Sequence, residues 1–258
     1  MVGSALNPPL NQDDGLAGRP VCSGFDCAMI KRIKKFFGGF LVFLMIGSGM
    51  AWSHNTWYGP TGLIQIPTPT ILRSQEAAAS VYSTFGGGDN HFGWSGAFSF
   101  SDQVELSLSD TAGLRSRTGS STIFGLKYVP TPNLAVGVLM DSNSRFQHTA
   151  YAVLGSPENS VYLGTGMNFG NGSARVALLG NYSRVKRDME TIFFLAGARM
   201  DLSRYYPSLE AVAEFNGDTM SLGLGLIPET NWDVQLDYMT SGDLFLEERF
   251  VLSLGTRF

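Results

Sequence analysis

The stretch NWDVQLDYM, residues 231–239, sets Trp232, Val234, Leu236 and Tyr238 on one side and Asp233, Gln235 and Asp237 on the other. Successive side chains of a strand point to opposite faces, so a period of two is the signature of a strand with one greasy and one polar face. The same alternation runs through QVELSLS (103–109), NLAVGVLMD (133–141), SVYLGTGMNF (160–169), SLEAVAEFN (208–216) and TMSLGLGLI (219–227). Where the rhythm breaks there are turn residues: GGGDN at 86–90, PTPN at 130–133, SPEN at 156–159, GNG at 170–172, NGD at 216–218 and PETN at 228–231. About thirteen such segments fit between Glu76 and Phe258, with short turns throughout and no amphipathic helix among them.

Many short strands suit either a soluble sandwich or a transmembrane barrel. A membrane barrel turns its apolar side outward and uses strands of about 9–11 residues to cross the hydrocarbon. The apolar faces here carry leucines and aromatics. The opposite faces carry glycine, serine and the charges Glu105, Lys127, Asp141, Arg175, Arg199, Glu210, Glu214 and Asp237, which are the candidates to line the lumen. Those charges are expected to bridge one another and fill a narrow barrel, because charges away from water are tolerated when matched.

Composition points the same way: 16% charged residues, 31 glycines and 18 phenylalanines in 258 residues. Upstream, MIKRIKKFFGGFLVFLMIGSGMAWS (29–53) has four cations, an apolar run from Phe36 to Ile46, and Ala51 and Ser53 spaced for cleavage before His54. That is the pattern of a secretory signal peptide, with an apolar run too short for a spanning helix. Met29 is then read as the start, and residues 1–28 as an extension ahead of it. Both cysteines, Cys22 and Cys27, fall in that extension, so the exported part has none. A closed barrel satisfies its backbone without an edge and needs no disulfide. Of the 18 Lys+Arg and 22 Asp+Glu, five and three precede His54, leaving 13 and 19 and a formal net charge of −6, which argues against nucleic-acid binding.

The fold expected is all-β, a transmembrane antiparallel up-and-down barrel over residues 76–258, in the outer membrane and in contact with its lipid. Single-chain bacterial barrels have an even strand number, so thirteen segments resolve to twelve or fourteen. Residues 146–155, FQHTAYAVLG, alternate worst and could be a loop. Residues 54–75, containing TGLIQI, could supply an additional first strand.

The chain ends RFVLSLGTRF. Phe250, Leu252, Leu254 and Phe258 share a face, and such an ending resembles the signal by which outer-membrane barrels are recognised by their assembly machinery. WYGPTGLIQIPTPTIL (57–72) reads as a short apolar strand from Leu63 to Ile66 and a rigid turn, since prolines at 60, 67 and 69 lack a ladder donor. Here Thr61, Gly62, Leu63, Ile64, Pro67 and Thr68 match the TGLI-x-x-PT signature, and the chain resembles the YjbH-type exopolysaccharide-associated outer-membrane proteins. The resemblance implies assistance to exopolysaccharide export or envelope assembly, with polysaccharide or export components as partners. A general small-solute porin is the second reading, and a lipid-acting barrel enzyme the third.

Catalytic signals are thin. His54 sits at the cleavage point, His91 beside the GGGDN turn and His148 in the least regular segment, and no GxSxG, zinc spacing or calcium loop occurs. No catalytic residue, cofactor or metal site is therefore assigned.

Overall fold

The computed structural model describes residues 54–86, 90–110, 121–143, 146–156, 160–170, 176–177, 179, 191–227, 231–240 and 248–258. Residues 1–28 and 29–53, on which the expected extension and signal peptide fall, and Arg175 lie outside the described residues.

Twelve strands form the wall: β1 (Ala77–Phe85), β2 (His91–Ser101), β3 (Val104–Asp110), β4 (Thr122–Thr131), β5 (Leu134–Asp141), β6 (Phe146–Ser156), β7 (Val161–Phe169), β8 (Thr191–Asp201), β9 (Leu209–Phe215), β10 (Met220–Leu226), β11 (Trp232–Met239) and β12 (Arg249–Arg257). Each pairs antiparallel with the next, and β12 returns to β1 through Phe250↔Phe85 down to Arg257↔Ala78. Two further bonds seal the seam, Ala77 N–H to Phe258 O at 3.2 Å and Phe258 N–H to Ala77 O at 2.9 Å. The barrel is closed, and among the described residues no helix takes part in it.

The closure settles two expectations. The partner of the last strand is the one beginning near Glu76, so the count is twelve, and the TGLIQI stretch is not a first strand of the wall. FQHTAYAVLG is not a loop but β6, paired on both sides. Its alternation is poor because its inward face is itself apolar: Tyr151 and Val153 are buried in the interior cluster. Near Arg175, the short strand Val176–Ala177 pairs in parallel with Phe146–Gln147 and is no thirteenth wall strand.

The outward series is the greasy one. Leu222, Leu224, Leu252 and Leu254 are each about half exposed, whereas the interleaved Ser221, Gly223, Val251 and Gly255 are buried. Aromatics gather at the two ends of the wall: Phe85, Phe92, Phe194 and Phe250 at one, Phe100, Trp232 and Phe258 at the other. Up-and-down connectivity puts the ends of the wall, Ala77 and Arg257, at the same rim. The connections at that rim are brief, such as 102–103 and 132–133, while those at the far rim include 111–121, 170–190 and 240–248. The expectation of short turns everywhere is thus corrected: the far rim carries long connections, which polar, weakly periodic sequence concealed.

Inside, four inward aromatics lie over the glycine directly opposite on the neighbouring strand: Tyr82 over Gly93, Tyr151 over Gly137, Tyr162 over Gly155 and Phe193 over Gly166. A Cβ at any of these glycines would stand 2.3–2.4 Å from the ring or its hydroxyl. The glycines on the polar faces are therefore sockets for aromatic rings, a pairing that fixes strand register.

Candidate functional site

An eight-stranded barrel is just filled by its own inward side chains, and diameter grows with strand number. Twelve strands leave a lumen to be occupied. Residues 54–72 occupy it.

This segment knits itself before it meets the wall. His54–Asn55 pairs antiparallel with Thr61–Gly62. Between them a turn bonds Gly59 N–H to Thr56 O at 2.9 Å and Thr56 N–H to Pro60 O at 2.8 Å, with Gly59 at φ 107°, where a side chain would be strained. Leu63 to Ile66 is not the short strand expected but a tight turn, bonded from Leu63 N–H to Ile66 O at 2.9 Å. The cause lies across the lumen. In the turn the N–H groups of Ile64, Gln65 and Ile66 converge on the Glu214 carboxylate at 3.2, 2.9 and 3.2 Å, an arrangement no extended strand can present. Successive amides in a turn form such a concave nest for an anion.

Glu214 stands on β9. On β3, six strands away and so half a circumference round the ring, Glu105 holds the other side of the hairpin. It accepts the Thr61 N–H and the Thr61 hydroxyl, each at 2.8 Å. Directly opposite it in register on β4, Lys127 pairs with it at 3.1 Å and donates to Thr61 O at 2.9 Å and Thr70 O at 2.7 Å. From β8, Arg199 donates to Gly62 O at 3.2 Å and pairs with Glu210 at 3.4 Å. The Gln65 amide is clamped as well, by Asn216 at 2.7 Å, Ser221 at 3.2 Å and Tyr58 at 3.3 Å.

The apolar half of the segment meets apolar wall. Trp57, Tyr58, Leu63, Ile64 and Ile66 share one buried cluster with Tyr82, Ile123, Tyr151, Phe193 and Val251. Trp57 stacks on Tyr82 with centroids 5.9 Å apart. Gly197 seats Leu63, since a Cβ there would stand 2.3 Å from Leu63 Cδ1.

Of the lumen candidates, Glu105, Lys127, Arg199, Glu210 and Glu214 all face the inserted segment or pair with a residue that does. The expectation that they bridge one another holds for Glu105–Lys127 and Arg199–Glu210; otherwise Glu105, Lys127, Arg199 and Glu214 grip the backbone of residues 61–70, and Glu210 meets the His54 ring. Asp237 lies on the same wall as Glu214, bonded to Gln235 at 2.7 Å. Asp141 is apart, near the far rim, where its carboxylate accepts the Ser121 hydroxyl and the Asn143 N–H. Arg175 is outside the described residues.

Sequence reading missed His54, assigned only to a cleavage point. Its Nε2 lies 2.8 Å from Glu210 and its Nδ1 3.2 Å from Asp233, which ties the start of the hairpin to β9 and β11. His54 belongs to the inserted hairpin and not to a spanning strand. Burial opposes its protonation, but hydrogen bonds to Asp233 and Glu210 and their charges outweigh that, raising its pKa from 6.5 to about 9. Gly255, in the terminal strand, makes room for this pairing: it faces inward opposite Asp233, and a Cβ there would stand 2.4 Å from the Asp233 carboxylate.

The Nδ1 of His148 accepts the main-chain N–H of Asp141 at 3.2 Å, and the Ser121 hydroxyl donates to the Asp141 carboxylate. The side chain of His91 is outside the described residues.

No protein-family model matches the chain, and no curated protein matches it. Solved structures are similar to it. The COG4313 outer membrane channel from Pseudomonas putida F1 aligns at TM-score 0.40 and 11% identity over 72% of this chain and 97% of its own. The N-terminal β-barrel domain of OprF from Pseudomonas aeruginosa aligns at TM-score 0.22 and 12% identity over 72% of this chain and 100% of its own. OprG from the same organism aligns at TM-score 0.20 and 11% identity, over 72% and 97%.

Proposed function

We propose that the protein is an outer-membrane β-barrel held closed by its own TGLIQIPTPT segment, and that it serves exopolysaccharide export or envelope assembly as the YjbH-type resemblance implies. The membrane reading is supported by the outward belt of leucines between two aromatic rings, with the three longest connections all at the rim opposite the termini. The reading of a closed, non-enzymatic barrel is carried by one observation. The residues of the TGLI-x-x-PT signature and the charges of the lumen wall are two halves of one device, with Glu105 and Glu214 holding the segment from opposite walls. An open porin would leave those charges to water.

In a strain lacking the gene, exopolysaccharide release should fall and be restored by the wild-type chain, which should fractionate with the outer membrane and shift its gel mobility on boiling. The wild type should be electrically silent in planar bilayers. Normal polysaccharide release without the gene would refute the export role; steady conductance from the wild type would refute the closed lumen.

A further inference from the structure

Resting on the closed-barrel reading, we infer that the wall behind the plug is a cation site, so that displacing residues 54–70 opens a cation-selective path. The argument follows from which lumen charges keep a partner when the plug leaves. Glu105 keeps Lys127 and Glu210 keeps Arg199, because both members of each pair stand on wall strands. Asp233 keeps the attraction of Arg257, on the neighbouring strand. Glu214 and Asp237 keep nothing of the kind. The hydrogen bonds to Glu214 come from the plug's Ile64, Gln65 and Ile66, and among the described residues no cationic side chain forms an ion pair with it or with Asp237.

The two carboxylates form one strip. Glu214 on β9 is opposite Ser221 on β10, and Asp237 on β11 is opposite Gly223, so only a serine and a glycine separate them on the intervening strand. A Cβ placed on Gly223 would stand 2.3 Å from Asp237 Oδ1, 3.1 Å from Gln235 Nε2 and 3.2 Å from Ile64 Cδ1, so Asp237 lies over the bare glycine with its Oδ1 held by Gln235 and with the plug's Ile64 beside it. A second observation points to a missing ligand. Asp237 is buried, yet its Oδ2 has no hydrogen-bond partner among the described residues. It lines a cavity of about 10 Å³ between the wall's Asp233, Gln235 and Ser253 and the plug's His54, Asn55 and Ile64, near the least room a water molecule needs. In the closed state the plug supplies N–H donors to Glu214 and the His54 ring to the same wall; in the open state water and cations take their place. Rings of Asp and Glu confer cation selectivity on pores.

The test keeps the full chain and all wall charges. Gly62→Val breaks the plug from within, because a Cβ at Gly62 would stand 2.2 Å from Ile66 O and 2.8 Å from Pro67 Cα. Ile64→Asp gives a second plug-side variant, setting a carboxylate against Glu214. Urea applied to the wild type, below the concentration at which heat-modifiable mobility is lost, releases the plug without any substitution. In planar bilayers under a potassium chloride gradient, the reversal potential should show potassium favoured over chloride several-fold. Adding Glu214→Gln and Asp237→Asn to Gly62→Val should bring that ratio close to the mobility ratio of the free ions. Conductance without cation preference, or with anion preference, overturns the inference while the closed-barrel reading stands. Silence of folded Gly62→Val, folded Ile64→Asp and urea-treated wild type also overturns it. Conductance of the untreated wild type instead strikes at the closed barrel.

Discussion

Glu214 shows how a single side chain can set the shape of a distant segment. A carboxylate buried without donors is costly, and three backbone N–H groups from Ile64 to Ile66 meet it, so the turn and the charge stabilise each other. Glu214→Ala orphans three buried donors at about 1–3 kcal/mol for each one left unsatisfied. Hydrogen exchange at the amides of Ile64, Gln65 and Ile66 should then accelerate at least about tenfold, the factor that corresponds to roughly 1.4 kcal/mol; unchanged protection would mean the carboxylate is not what holds the turn. Gly137 makes the complementary point about space. A Cβ there would stand 2.4 Å from the Tyr151 hydroxyl and 2.5 Å from the main-chain oxygen of Leu126, and backbone cannot yield as a side-chain tip can. Gly137→Ala should therefore lower the free energy of unfolding from vesicles by about 1–3 kcal/mol, the range for an overfilled core, read as a lower urea midpoint.

At the scale of elements, the hairpin 54–62 is tied to the wall at its start by His54. Its raised pKa means that docking favours the protonated ring, so this contribution is complete below the ordinary value of 6.5 and is lost as pH rises through about 9. Facing it are Glu210 and Asp233, with Arg199 on the first and Arg257 near the second. Acrylamide quenching of Trp57, buried against Tyr82, should increase between pH 7 and pH 10, and His54→Gln should flatten that rise. The wall strands were legible because alternation depends only on which side of a strand faces lipid. The inward charges were legible for the same reason. What holds them was not: TGLIQI is an apolar run that reads as a strand, and the Glu214 that bends it is 150 residues away in the chain. Period two also failed at β6, where Tyr151 and Val153 make the inward face apolar. Nothing in local pattern states that a twelve-stranded lumen carries a hydrophobic core of its own.

For the whole molecule, the same sequence solves two packing problems in opposite directions. Inside, rings, glycines and the inserted segment fill a lumen wider than its wall can fill; outside, leucines and aromatics stand exposed, uncovered by any of the described residues. Stability thus depends on the surrounding medium as well as on internal packing, and the dependence should vary with depth. Leu252, close to the middle of β12 and about half exposed, belongs to the leucine belt, whereas Tyr205, on the connection between β8 and β9, lies beyond the end of the wall. A cationic side chain on the lipid face costs about 2–4 kcal/mol at the bilayer midplane and about 0–1 kcal/mol near the interface. Leu252→Arg should accordingly reduce the folded, heat-modifiable fraction in lipid vesicles and lower its urea midpoint, while Tyr205→Arg should leave both nearly unchanged. In a detergent micelle, whose apolar layer adapts round the charge, the gap between the two variants should narrow. Equal effects of the two substitutions in vesicles would mean that the leucine belt is not buried in hydrocarbon, and the membrane reading would fall with it.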